Sequence, residues 1–294
     1  MPAPLYGKTI LISGGSRGIG LAIALRAARD GANIAIAAKT DSPHPTLPGT
    51  IHTAAAQIEA AGGTALPLVC DIREESQVEA AVAATCARFG GIDICINNAS
   101  AISLTPILET SLKRFDLMHG VDARGTFLLT QKTLPHLLKA PNPHVLTLSP
   151  PLHMEERWFG PHVAYSMAKY GMSMVVLGVA AEFRGRVGVN ALWPRTAIDT
   201  AAMAAISQRV RLGALRSPQI LADAAYLILT ADARTTTGQF FIDDEVLQRH
   251  GITDLSAYGP PGVSEVDLTP DLFVPSLREM RGGTRAGMGS GDPG

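Results

Sequence analysis

The stretch SPPLHMEERWFGPHVAYSMAKYG, residues 149 to 171, sets Tyr165 and Lys169 four positions apart. On a helix that spacing stacks the two side chains on one face. An ammonium beside a phenol favours the phenolate, and moving a tyrosine from about 10 toward neutrality suits it to general acid–base work. The expected chemistry is proton transfer at the Tyr165 hydroxyl with Lys169 as electrostatic partner. The bland alternative is an amphipathic helix whose lysine lays its stem along apolar surface. Upstream, Ser149 is the hydroxyl at hand, followed by Pro150 and Pro151. Pro151 presets Pro150, and Pro150 confines Ser149 to extended backbone, so that serine is rigidly aimed.

A second constellation is Ser13-Gly14-Gly15-Ser16-Arg17-Gly18-Ile19-Gly20, placed between an apolar run and a helix-like segment. Gly14 permits a tight turn, Gly18 a close backbone approach to a pyrophosphate, and Gly20 close packing of helix on strand. A helix starting there aims free N–H groups and a favourable dipole at phosphates. The spacing is G-x-x-x-G-x-G. A glycine-rich surface turn is the competing reading, and the strand before and helix after argue against it.

Both constellations need a rigid frame, and the hydrophobic pattern supplies one. TILIS (9–13), NIAIA (33–37), ALPLV (65–69), IDICI (92–96), HVLTLS (144–149), VGVNALW (187–193) and QFFI (239–242) read as buried strands. Helix-like segments such as GLAIALRAARDG (20–31) and EESQVEAAVAATCARFG (74–90) lie between them and end in Gly. Strand and helix in alternation predict an α/β fold: a single-domain, Rossmann-like, doubly wound parallel sheet over residues 1–257. TDSPHPTLPGT (40–50) reads as a loop. Pro and Gly dominate from about Tyr258, so 258–294 is set apart as a C-terminal extension, disordered toward its end.

Composition narrows the function. A formal net charge of −1 over 294 residues argues against nucleic acid as main partner. No run of 18 apolar residues occurs, so membrane insertion is not expected. Cys70, Cys86 and Cys95 form no C-x-x-C and read as reduced thiols, and no targeting leader is apparent, which makes the cytoplasm the default. The eight histidines show no metal-ligand spacing, and no metal is expected.

The glycine spacing, Asn97-Asn98-Ala99-Ser100 after the fourth strand and Tyr165-x-x-x-Lys169 resemble, in that order, the short-chain dehydrogenase/reductase family over about residues 5–250. The resemblance implies an NAD(P)-dependent oxidoreductase that moves hydride between a nicotinamide and a carbonyl or secondary alcohol. It assigns Tyr165, Lys169 and, by proximity, Ser149 to catalysis. Gly14, Ser16, Arg17, Gly18, Ile19, Gly20, Asn97, Ala99, Tyr165, Lys169, Pro194 and Thr196 would hold the cofactor. Asp71 resembles the family's adenine-contacting acid, although it could equally cap the helix that follows. In the family an acid ending the second strand selects NAD. Here Lys39 stands there and Arg17 lies in the loop, two cations that favour the extra phosphate of NADP.

Three family positions depart from the pattern. Counting back about thirteen residues from the Tyr to the usual Ser or Thr reaches Leu152, and aligning on the strand end gives Pro150. Asp122 replaces the relay Asn, whose backbone carbonyl matters more than its side chain, so any residue that keeps the helix kink could serve. Arg195 takes the second place of the family's Pro-Gly loop.

The segment Ala197–Leu215 corresponds to the substrate lid, and its Ala and Met content suits an apolar ligand. Further stretches, among them LSPPL, NALWPRTAI and PDLF (270–273), narrow the resemblance to a branch whose substrates would be fatty-acyl or sterol-like. Relatives of that kind can carry a sterol-carrier domain, which this sequence is too short to include. Two other functions stay open: reduction of an enoyl double bond, and an NADPH-binding scaffold or sensor without turnover. The resemblance also implies a homodimer or homotetramer packed through helices near 122–139 and 162–183.

Overall fold

The computed structural model describes residues 3–44, 48–207 and 213–283, with the side chains of 205–207 and 281–283 left aside. Its seven strands are β1 (Thr9–Ser13), β2 (Asn33–Ala38), β3 (Thr64–Val69), β4 (Ile94–Asn97), β5 (His144–Thr147), β6 (Gly188–Trp193) and β7 (Phe240–Ile242). They form one sheet in the order β3-β2-β1-β4-β5-β6-β7, every pair parallel. Helices cover both faces: α1 (Gly18–Ala28), α2 (Ile51–Ala60), α3 (Glu75–Phe89), α4 (Leu112–His119), α5 (Gly125–Leu137), α6 (Val163–Glu182), α7 (Ala201–Ser207), α8 (Gln219–Leu229), α9 (Asp243–Arg249) and α10 (Leu277–Gly283).

The double covering explains why the strands read as continuous apolar runs. In β1, Ile10 and Ile12 enter the core under α1, α2 and α8, while Leu11 enters the one under α3, α5 and α6. The strand order reverses between β1 and β4, which opens a crevice at their carboxyl ends. The glycine loop leaves β1 into that crevice.

Two helices are shaped by the site. A π-helical turn, Gly120–Arg124, joins α4 to α5 and turns Asp122 inward, so the kink expected at that position is present. Helix α6 is apolar enough over its 20 residues to span a membrane, yet 56% of that window is buried inside the fold. It is a core helix that carries Tyr165 and Lys169.

Residues 258–283 do not leave the fold. Ala214 bridges Leu268, Thr196 bridges Pro270, and Leu268, Phe273 and Val274 are buried. Proline and glycine content signalled irregular backbone, but these few apolar side chains suffice to anchor it. Residues 208–212 of the expected lid and the terminal residues 284–294 lie outside the described residues.

Candidate active site

A cavity of about 880 Å³ occupies the crevice. Its lining unites Gly14, Ser16, Arg17, Gly18, Ile19, Lys39, Asp71 and Ala99, as the sequence led us to expect, with Thr200, Ala201 and Ala202 from the lid segment. Gly14 has φ +71°, and a Cβ there would lie 2.9 Å from Ala99 Cα. Gly20 stands behind the loop, where a Cβ would fall 2.5 Å from Asn98 Nδ2 and 2.7 Å from Gly14 O. The residue before α1, Arg17, is extended and makes no side-chain cap, which leaves the first-turn amides to face the cavity. A dinucleotide's phosphates fit such a cradle.

Asn97 is not at the cavity. It lies within β4, where its Nδ2 donates to Thr130 Oγ1 (2.9 Å) and Thr147 Oγ1 (3.4 Å). The next residue, Asn98, takes the expected place. Its Nδ2 donates to Ser13 O (3.1 Å) and Gly14 O (2.8 Å), tying the β4 end to the glycine loop. Strand alternation explains the exchange, since adjacent residues point to opposite sides.

Asp71 does not cap α3, whose cap position is Glu74. It accepts from Arg73 Nε (3.0 Å) and Nη2 (2.6 Å) and pairs with Lys39 Nζ at 3.1 Å. Arg73 first, then Lys39, hold its carboxyl far below the usual range. Lys39 keeps 61% of its side chain exposed. Arg17 lends one nitrogen to Gly49 O at 2.9 Å. Both cations border one cavity, already partly engaged.

Ser149, Tyr165, Lys169, Pro194 and Thr196 are all buried and absent from that lining. Ala101, Ile102 and Leu104 form the shared wall: they line the cavity and pack on the cluster that contains Tyr165. Lys169 Nζ donates to Leu148 O at 2.8 Å and lies 5.1 Å from the Trp193 ring. Ser149 Oγ and Thr196 Oγ1 have no hydrogen-bond partner among the described residues. Arg195 turns away, its Nε 2.9 Å from Asp244 Oδ2 and its Nη2 reaching Glu245.

The expected drift of Tyr165 toward neutrality is reversed in the protein alone. Tyr165 is 5% exposed; burial pushes its hydroxyl well above its ordinary value, and Asp122 and Asp271 push it further. Burial lowers Lys169, against the pull of the same two carboxylates. Sequence reasoning weighed the ammonium and a cationic nicotinamide; two carboxyls, one from the π-turn and one from the C-terminal segment, were not visible to it. Asp122 accepts from Ala101 N (2.7 Å) and Ser100 Oγ (3.1 Å), and burial raises it to about 6.

Comparison with known proteins agrees with this geometry. A family model described as short chain dehydrogenase matches residues 8–211. Hydroxysteroid dehydrogenase-like protein 2 of Danio rerio is 55% identical over 271 residues, 92% of this chain. The chain spans 64% of that relative's length. A putative dehydrogenase from Xanthomonas campestris aligns with a TM-score of 0.88 at 59% identity, covering 92% of this chain and 99% of that one. A short chain dehydrogenase from Mycobacterium thermoresistibile aligns with a TM-score of 0.86 at 52% identity, covering 92% and 96%.

Proposed function

We propose, from the premise that this chain belongs to the short-chain dehydrogenase family, that it is an NAD(P)-dependent oxidoreductase which uses NADP and acts on the carbonyl or secondary alcohol of an apolar, fatty-acyl or sterol-like substrate. The observation that carries the reading is the shared wall. A phosphate-cradling cavity ends on Ala101, Ile102 and Leu104, and the buried Tyr165 and Lys169 cluster stands behind them.

When bound, the dinucleotide supplies or accepts hydride at its nicotinamide. The chain's own residues do the rest. The α1 amides hold the pyrophosphate, and Lys39 with Arg17 takes the 2′-phosphate. Tyr165, kept as the neutral phenol by its surroundings, gives its proton to the carbonyl oxygen on reduction and recovers one on oxidation. Lys169 stabilises the phenolate left behind. Ser149 Oγ, buried and unpartnered among the described residues, is free to hold the substrate oxygen. The rings of Trp158, Phe159, Tyr170 and Trp193 around Tyr165 favour an apolar substrate.

Phe127, Met167, Met174 and Leu177 are exposed on α5 and α6, which supports pairing with a second copy as a homodimer or homotetramer. The test is a panel of aldehydes, ketones and enoyl thioesters read by NADPH absorbance on the full chain. Ketone or aldehyde turnover with NADPH is expected. Turnover of enoyl thioesters alone, or cofactor binding without any turnover, would replace this reading with the double-bond reductase or the scaffold.

A further inference from the structure

Four buried polar atoms on the segments that enclose Tyr165 have no hydrogen-bond partner among the described residues: Ser149 Oγ, Trp158 Nε1, His162 Nε2 and Thr196 Oγ1. A folded protein leaves few buried polar groups unmet, so each one calls for an explanation. Ser149 already has one, as holder of the reacting oxygen. His162 is the member of the set whose ring meets that of Tyr165, with centroids 6.0 Å apart.

His162 is held firmly where it stands. It precedes the first turn of α6, and its carbonyl accepts from Tyr165 N and Ser166 N, both at 3.1 Å. Its own N–H donates to Phe159 O at 3.2 Å, and Phe159 stacks on Tyr170 at 5.1 Å. Past the sheet, the chain returns to this chamber as Pro270-Asp271-Leu272-Phe273, tied by Trp193 Nε1, which donates to Leu272 O at 2.8 Å. The fully buried Phe273 ring lies edge-on to His162 at 6.1 Å and 6.0 Å from Tyr165. The three ring centroids thus form a nearly equilateral triangle, with two polar corners and one apolar. His162 is 5% exposed, and its Nε2 is sealed from bulk water.

We propose that His162 is a specificity-determining residue that binds a second oxygen of the substrate, one or two carbons from the carbon that exchanges hydride. The assignment rests on the reading that Tyr165 transfers the proton to or from the reacting oxygen. With that oxygen at Tyr165, the adjoining ring of His162 is within reach of a group on a neighbouring carbon. Burial lowers the His162 imidazole, which favours its neutral form. A neutral imidazole nitrogen donates or accepts according to its tautomer, so a hydroxyl fits either form and a carbonyl oxygen fits the N–H form. Phe273 offers no polar atom, and the remainder of the substrate stays apolar. The substrate class narrows to apolar ketones and secondary alcohols that carry a second oxygen close to the first.

The test is ligand binding to the full chain loaded with the oxidised dinucleotide, which has no hydride to give a ketone. Trp158 and Trp193, the two tryptophans of the sequence, belong to the Tyr165 cluster, so their fluorescence reads occupancy. A plain ketone is titrated beside analogues of equal chain length hydroxylated on the first or second carbon from the carbonyl. The parent protein should bind one hydroxy ketone about tenfold more tightly, although a hydroxyl unmet in an apolar chamber would weaken binding. His162→Phe should erase that ratio, and His162→Gln, whose amide also donates and accepts, should keep most of it. Loss of packing alone would weaken all the ketones alike and leave the ratio standing, so an unchanged ratio in His162→Phe overturns the proposal. Equal affinities in the parent overturn it too, whether or not the variants fold. Absence of any response to these ketones, in a chain that binds the dinucleotide, would discard the substrate reading along with it. Failure of turnover in the substrate panel, with the ratio intact, would discard the function and leave His162 as a ligand-binding residue.

Discussion

Around the glycine loop nearly every polar contact runs through backbone. Asn98 grips Ser13 O and Gly14 O, its own N–H and that of Ala99 reach Ser13 Oγ at 3.1 and 3.2 Å, and the cavity stays open. Around Tyr165 the difference is closure and the number of polar groups left without a partner among the described residues. The cluster is closed by packed rings, and Ser149 Oγ, Trp158 Nε1, His162 Nε2 and Thr196 Oγ1 are buried without a partner among the described residues. The open side is a backbone-lined cradle of a shape that suits phosphates. The closed side encloses polar groups among packed rings.

Removing one oxygen from the closed side should have the largest effect. Tyr165→Phe should lower turnover on the order of 10³-fold, the range of general acid–base catalysis. NADPH affinity, read by fluorescence titration, should fall far less than turnover, since Tyr165 does not line the cavity. Retention of a tenth of the activity would mean that some other group transfers the proton, and the contrast between the two sides would collapse.

Next comes the anchor of the closing segment. Phe273→Ala should cost about 3–5 kcal/mol in denaturant unfolding, because a fully buried ring is lost from a tight aromatic cluster. Cofactor affinity should hardly change, since Phe273 does not line the cavity. A cost below about 1 kcal/mol would show that the segment merely rests on the chamber.

On the open side the effect is smaller but sharper in sign. Lys39→Asp should reverse a preference for NADP over NAD, as one charge-assisted phosphate contact is worth about 1.5–3 kcal/mol. Lys39 is already paired with Asp71 at 3.1 Å, which places the expected loss toward the lower figure. Equal affinity of the parent protein for the two dinucleotides, measured by titration, would remove the basis for the cofactor assignment.

These two sides differed in how far the sequence revealed them. The glycine loop is one uninterrupted stretch whose meaning lies in spacing, and it was legible to the residue, apart from the exchange of Asn97 for Asn98. The seven strands were legible from apolar runs bounded by turns, with ends displaced by one or two residues. The Tyr165 side was legible only as a pair. Its other groups, Asp122, Trp193, Asp271 and Phe273, come from separate segments, and nothing local marks a proline-rich terminal stretch as the wall of an active site. PDLF stood out as a motif without revealing where it would lie. The two carboxyls stayed hidden for the same reason: a neighbour four residues away is visible in sequence, whereas a carboxyl about a hundred residues away is not.

The last contrast between the sides is the direction of their pH dependence. On the closed side burial raises Asp122 to about 6 and Asp243 to about 7. Asp243 lies at the start of α9, accepting from Arg195 N and Asp244 N at 2.9 and 2.8 Å, with the Asp244 charge beside it raising it and Arg216 opposing. A carboxyl whose folded value exceeds its unfolded one contributes stability fully below the unfolded value, near 4, and loses it as pH rises through the folded value. Each such group should therefore lower stability between about pH 5 and 7, by at most about 1.4 kcal/mol per pH unit, while the buried His144, lowered to about 4, pulls the other way in the lower part of that window. Asp71, on the open side, is held far below 3.8 by Arg73 and Lys39, so it is ionised in both states throughout that window. Melting temperatures of the parent, Asp243→Asn and Asp71→Asn across this range test the contrast. Asp243→Asn should flatten the decline, because an amide at that position keeps the two accepted hydrogen bonds and has no proton to lose. Asp71→Asn should shift the curve as a whole and leave its slope alone. An Asp243→Asn curve with the same slope as the parent would show that Asp243 is ionised as freely as a surface carboxyl.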